Sequence, residues 1–128
     1  MSKLIIDAAK DKIFFMIIRN NIYYNISYEN SKNNYEKMVN YINRFLKTKN
    51  LTLKNISKIY VNRGPGSFAG IRNSLSVVKA IHLANKIDYY CFSFDDFKSE
   101  NHIKYENIPL LCDKFNVKKN LINPIYIS

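Results

Sequence analysis

All three glycines of this 128-residue chain fall within seven consecutive positions, Gly64-Pro65-Gly66-Ser67-Phe68-Ala69-Gly70. Average usage is about 7% glycine, so everywhere else the chain does without the residue that takes positive φ at least cost. Whatever fold forms must bend its backbone here. Ahead of the loop, Lys58-Ile59-Tyr60-Val61 is a β-branched and aromatic run. After it, Ile71, Leu75, Val78, Ile81 and His82 recur at three- and four-residue spacing. The pattern predicts a strand, a tight turn, and a helix that runs from Phe68 to about Lys86.

A strand-to-helix turn of this kind offers free backbone N–H groups and the positive end of a helix dipole, which suits a phosphate. Arg63 and Arg72, two of only four arginines, flank it. The residue order argues against the familiar phosphate loops. A Walker A loop places Lys and then Ser or Thr after its last glycine, where Ile71-Arg72 stands here. The dinucleotide fingerprint places its third glycine three positions after the second, whereas Gly70 lies four after Gly66. The residues alone therefore favour a structural turn, with Pro65 fixing φ and Ser67 capping the helix.

In chain order, Leu4-Ile5-Ile6 reads as a short strand that ends in a polar turn at Asp7. Residues 13–18 are apolar on both faces and read as an interior strand. In the next segment Ile22, Tyr24, Ile26 and Tyr28 share one face, which gives three antiparallel strands in a row. Residues 31–49 switch to a helical period, with Tyr35, Met38, Ile42 and Phe45 on one stripe and Val39 and Leu46 beside it. Residues 88–93 read as a last buried strand. The order is β-β-β-α-β-α-β, and right-handed crossovers over both helices make the last two strands parallel to the first.

The helix after the loop is unusually apolar. Ala69, Asn73, Ser76, Ala80 and Ala84 form a stripe of mostly small residues. Ile71, Leu75, Val78 and His82 hold another side, widened by Val77, Ile81 and Leu83, and only Arg72, Ser74, Lys79 and Lys86 favour water. Such a helix needs cover on more than one side, and small side chains let a second helix come near. The cover comes either from the preceding helix or from another protein.

Catalytic and metal chemistry find little support. His82 has no Ser, Cys or acidic partner nearby in sequence and reads as a packed or surface histidine. Cys91 and Cys112 lie in apolar runs without CxxC spacing and read as buried reduced thiols. With only His82 and His102 as histidines, neither a metal nor a cofactor is expected. An apolar content of 47% fits one small domain with a real core. The absence of a membrane-length apolar stretch and of a signal-like N-terminus leads to the expectation of a cytoplasmic protein with no membrane role. The net charge of +10, carried by sixteen lysines against four arginines, reads as a solvated lysine surface. A nucleic-acid-binding module is the alternative reading of the charge.

The segment from Asn62 to Arg72 resembles the Gly-Arg-Gly-Pro-Gly-Ser-Phe-Thr-Gly-Leu-Arg segment of the TsaB (YeaZ) family, which partners TsaD in making threonylcarbamoyladenosine on tRNA. Asn62 replaces Gly and Ala69 replaces Thr. The strand and helix order is likewise that of the α/β half-domain shared by the actin, hexokinase and Hsp70 ATPases and by the ribonuclease-H-like fold, the group to which TsaB proteins belong. In the ATPases an Asp followed by Gly and Thr holds phosphate and metal in the first hairpin. Here Asp7 is followed by Ala8-Ala9, which offer no side-chain donor, so no ATP hydrolysis is expected. Asn34 stands where the family's first helix has a His.

The likeness covers residues 1–98 well and 108–128 weakly. It implies a ribonuclease-H-like domain over residues 1–98 and a short remnant of the family's second half over 99–128. There Ile108-Pro109-Leu110-Leu111-Cys112-Asp113 looks like the opening strand of that half, and residues 123–127 resemble its close. The resemblance implies a non-catalytic subunit that binds and activates a TsaD-like enzyme. A TsaE-like ATPase would be a further component, self-pairing an alternative assembly, and tRNA an indirect partner. Arg63, Gly64, Pro65, Gly66, Ser67, Phe68, Gly70 and Arg72 would shape the structural loop. Met38, Ile42, Phe45, Ala69, Asn73, Ser76, Ala80 and Ala84 would meet the partner. The competing readings are an inactive or residual enzyme of glycoprotease or phosphotransferase type and a lysine-rich tRNA-binding module.

Overall fold

The computed structural model describes residues 1–126. Continuous apolar runs form the strands β1 (Ser2–Asp7) and β2 (Lys12–Arg19) and an alternating one forms β3 (Ile22–Glu29), paired antiparallel in succession. Two further strands, β4 (Ile56–Asn62) and β5 (Asp88–Phe92), run parallel to β1 and complete a sheet of order β3-β2-β1-β4-β5. The helical stretch before β4 divides into α1 (Lys32–Glu36) and α2 (Met38–Thr48) at Lys37. It is not the single helix expected over residues 31–49, and the weak helix formers Asn33 and Asn34 lie in the short first piece. The helix α3 (Phe68–Asn85) joins β4 to β5.

Scarcity of glycine shapes the turns. Five of the seven non-glycine residues with positive φ among those described are asparagines: Asn20, Asn21, Asn50, Asn116 and Asn120. Asn tolerates the left-handed region better than other side chains. The Asn20-Asn21 pair, with φ of 49° and 63°, closes the β2–β3 hairpin in the manner two-residue turns require.

The two faces of the sheet carry separate cores. Leu4, Ile6, Phe15, Ile17, Ile59 and Val61 pack under α2 and α3. Ile5, Met16, Tyr60 and Phe92 face the opposite way, where Phe97, Ile108, Leu111 and Cys112 cover them. Three of those covering residues belong to α4 (Ile108–Lys114). This corrects the strand expected at residues 108–113. The apolar positions 108, 111 and 112 fit a helical period as well as they fit a buried strand, and Pro109 in the first turn suits a helix start. The segment beyond α4 then runs along β5: Asn120 N–H donates to Tyr89 O (2.7 Å), and Tyr89 N–H donates to Asn120 Oδ1 (2.9 Å). It continues to Ile125, whose N–H donates to Arg63 O at 2.7 Å. Of the resembling close at residues 123–127, Ile127 lies outside the described residues. Among the described residues no helix is long and apolar enough to cross a membrane.

Candidate functional site

The glycine loop is held from two directions by the chain itself. Gly64 has φ of 112°, and its N–H donates to the side-chain Oδ1 of buried Asn62 at 2.9 Å. Asn62, a departure from the resembling motif, thus supports the turn through its own side chain. The Gly64–Pro65 peptide is cis. Ser67 N–H donates to Ala9 O (2.8 Å), and Ser67 Oγ accepts from Gly70 N–H (3.1 Å), capping α3. A Cβ on Gly66 or Gly70 would overlap the carbonyl oxygens of Ala9 or Ala8, and one on Gly64 would overlap that of Ile125. Two carbonyl oxygens of the β1–β2 turn therefore lie against the start of α3, where their partial negative charge meets the helix's positive end. An anion would have to displace them.

The two flanking arginines do not converge on a common site. Arg63 donates through Nη2 to Asp96 Oδ1 at 2.7 Å and through Nη1 to Asn123 O at 3.1 Å, whereas Arg72 is exposed along α3. Asp7 is more than a residue in a turn. It is buried, its Oδ1 accepts from Ala9 N–H (3.0 Å), and its Oδ2 accepts from the hydroxyl of Tyr105 (2.6 Å). Burial and the neighbouring Asp7 carboxylate raise the Tyr105 pKa, so that the phenol keeps its proton. Tyr105 stacks on Phe14 with ring centroids 4.2 Å apart. Both Asp7 oxygens are thus engaged within the chain. No local pattern marked Tyr105, whose partner Asp7 lies 98 residues away, and the Ser93-x-x-Asp96 spacing marks Asp96 as a cap but not as the partner of Arg63, 33 residues away.

Cys91 and Cys112 are free and buried, and burial pushes their thiols up to about 11 and about 12. Neither is an activated nucleophile at neutral pH. The His82 ring lies with Nδ1 2.9 Å from Ile87 O and edge-on to Tyr89. Among the described residues no three His, Cys, Asp or Glu side chains gather as a metal-holding group would.

The residues expected at a partner surface divide into two groups. Met38, Ile42 and Phe45 are 0%, 1% and 5% exposed, within the core beneath α2, and so cannot meet another protein. Their stripe is the side of an amphipathic helix that the sheet itself covers. Ala69, Ser76, Ala80 and Ala84 are exposed, and Asn73 is half-buried with its Nδ2 donating to Ala69 O. Two further residues change sides relative to expectation. Ser74 is fully buried, its hydroxyl donating to Ile71 O (3.0 Å), while Leu83 is 69% exposed. The open side of α3 borders a groove of about 590 Å³ with Ser76 and Ala80 along it, Arg72 and Lys79 on the helix, and Ile122 and Tyr126 of the C-terminal segment opposite. Tyr126 in turn rests against Phe68, with ring centroids 4.7 Å apart. Tyr126 falls in the segment 123–127 that resembles the close of the family's second half, whereas Ile122 had no sequence signal beyond its apolar character.

Three antiparallel strands, two parallel crossovers, and a glycine turn clasping the first hairpin define a protein of the ribonuclease-H-like α/β class. Residues 21–93 match the family model described as "TsaD: tRNA N6-adenosine threonylcarbamoyltransferase". The chain is 28% identical over 90 residues to the tRNA threonylcarbamoyladenosine biosynthesis protein TsaB of Buchnera aphidicola subsp. Schizaphis graminum (strain Sg), with 70% of this chain and 43% of that protein covered. It belongs to the TsaB (YeaZ) family. Among solved structures, YeaZ from Pseudomonas aeruginosa superposes with a TM-score of 0.66 at 17% identity, over 72% of this chain and 43% of that one. A Pseudomonas aeruginosa protein described as similar to peptidase YEAZ superposes with the same score and coverage. The chain thus spans less than half the length of the relatives it matches.

Proposed function

We propose that this chain is a binding subunit in the formation of threonylcarbamoyladenosine on tRNA, that it docks on a TsaD-like enzyme through the open side of α3, and that it supplies no catalytic group. The observation that carries the docking is the helix itself. Its inner side is fully built into the core, while Phe68, Ala80, Leu83 and Ala84 stay exposed. An apolar strip of this kind on a soluble domain is characteristic of a surface that another chain covers. The pathway assignment is supported by family membership and by the name of the Buchnera relative. The non-catalytic assignment is supported by the engagement of Asp7 with Ala9 and Tyr105 and by the protonated, buried thiols. In this reading the protein works in the cytoplasm, meets tRNA only through its partner, and leaves ATP to other components, a TsaE-like ATPase among them.

The test is to purify the chain with the TsaD-like protein of the same genome. The expected result is co-elution and faster modification of tRNA than the TsaD-like protein achieves alone. Separate elution with no change in modification would remove the proposal. The transferase description of the matching model favours a second reading, an enzyme in its own right. That reading predicts saturable ATP binding lost in Asp7→Ala, and the engaged carboxylate predicts none.

A further inference from the structure

The groove along α3 has walls of separate origin, one basic and one apolar. From Phe68 to Asn85 the helix carries Arg72 and Lys79 and not one Asp or Glu, and Lys86 follows at its end. The opposite wall, from the segment after α4, is Ile122 and Tyr126 and carries no charge of either sign. Beside the helix cations the exposed surface is apolar: Leu83 is 69% exposed, Tyr126 42% and Ile122 37%. We infer that the groove between α3 and the C-terminal segment takes an acidic amphipathic helix of a different polypeptide, not a second copy of this chain.

The choice of occupant follows from electrostatics and shape. A two-fold pair through this groove would set the patch against itself. Arg72 and Lys79 would then face the same cations, on two chains that each carry +10, and like charges brought together across an interface oppose association. A partner with Asp and Glu beside its apolar stripe turns the same groups to advantage. Shape favours a helix because Ser76 and Ala80 keep the side of the groove low. The 18 residues of α3 also offer a track about 27 Å long at 1.5 Å per residue, along which a second helix can lay its apolar face. That the partner is the TsaD-like enzyme rests on the function proposed above. The sign of its charge does not.

The experiment uses two synthetic peptides as long as α3, with one leucine stripe in common and either Glu or Lys on the flanking positions. Each is titrated with the full chain and followed by fluorescence anisotropy. The expected result is that the Glu peptide binds at least about tenfold more tightly than the Lys peptide and weakens as salt is raised. Arg72→Glu/Lys79→Glu should reverse the preference, and Leu83→Asp should weaken both peptides. All three positions are exposed, so the variants should keep the wild-type circular dichroism spectrum. Equal binding of the two peptides, no binding of either, or a preference that survives charge reversal would overturn the inference. So would a chain that sediments alone as a dimer which Leu83→Asp dissociates, because the groove would then be filled by a second copy. The two proposals fail separately. A TsaD-like protein that co-elutes equally well with the charge-reversed chain removes this inference and leaves the proposed function. A Glu peptide that binds where the TsaD-like protein does not removes the function and leaves the groove.

Discussion

Gly70 sits in the first turn of α3 with its missing side chain directed at the carbonyl oxygen of Ala8. Gly70→Ala should therefore push the hairpin turn and the helix apart and cost about 1–3 kcal/mol, visible as a lower midpoint in urea unfolding. An unchanged midpoint would show that the clasp gives way easily. The sequence made the importance of this loop plain by putting every glycine in it, yet it could not say which strand turn the glycines admit. The buried thiols allow a second test. Burial raises Cys91 from 9.0 to about 11 and Cys112 from 9.0 to about 12, so the unfolded chain loses these protons first. The stability they contribute is complete below pH 9.0 and is lost as the pH rises through about 11. Thermal unfolding midpoints should fall across that window, and they should fall less steeply in Cys91→Ala/Cys112→Ala.

The helices α2 and α3 show how far periodicity carries. In α2 a single apolar stripe faces the sheet, and its period is legible in the sequence, but the period does not say whether the sheet or a partner covers it. One stripe cannot meet both once it is buried. Met38→Ala should cost about 2–5 kcal/mol as a core truncation, whereas Leu83→Asp on exposed α3 should change stability by less than about 0.5 kcal/mol. Denaturant titration of both variants checks the contrast, and a destabilised Leu83→Asp would mean that Leu83 is covered by its own fold. In α3 the apolar residues surround most of the helix, so the pattern could not distinguish Ser74, which faces the core, from Leu83, which faces outward. The segment that forms α4 is ambiguous in sequence for a simpler reason. A run of four apolar residues around Pro109 is too short for its period to separate a strand from a helix.

Taken together, the β-β-β-α-β-α-β order was legible because each element carries a local signal, and the sheet order follows from the handedness of the crossovers. The cover on the sheet's second face was not, because it joins residues distant in sequence: Tyr105 to Asp7, Arg63 to Asp96, Ile125 to Arg63. Residues 99–126 are thereby part of the same folded unit, and Tyr105→Phe should reveal it. Removing the hydroxyl leaves a buried Asp7 oxygen without its donor, at a cost of about 1–3 kcal/mol, measurable by thermal or urea unfolding. No loss would mean that water replaces the phenol freely. The central claim is that the uncovered flank of α3 is a surface for another polypeptide. It is tested most directly by titrating the labelled chain with the TsaD-like protein of its own genome, as wild type and as Leu83→Asp. The account predicts saturable binding by the wild type that Leu83→Asp weakens by at least about tenfold, roughly 1.4 kcal/mol. Equal affinity for the two, or no binding by the wild type, would contradict it.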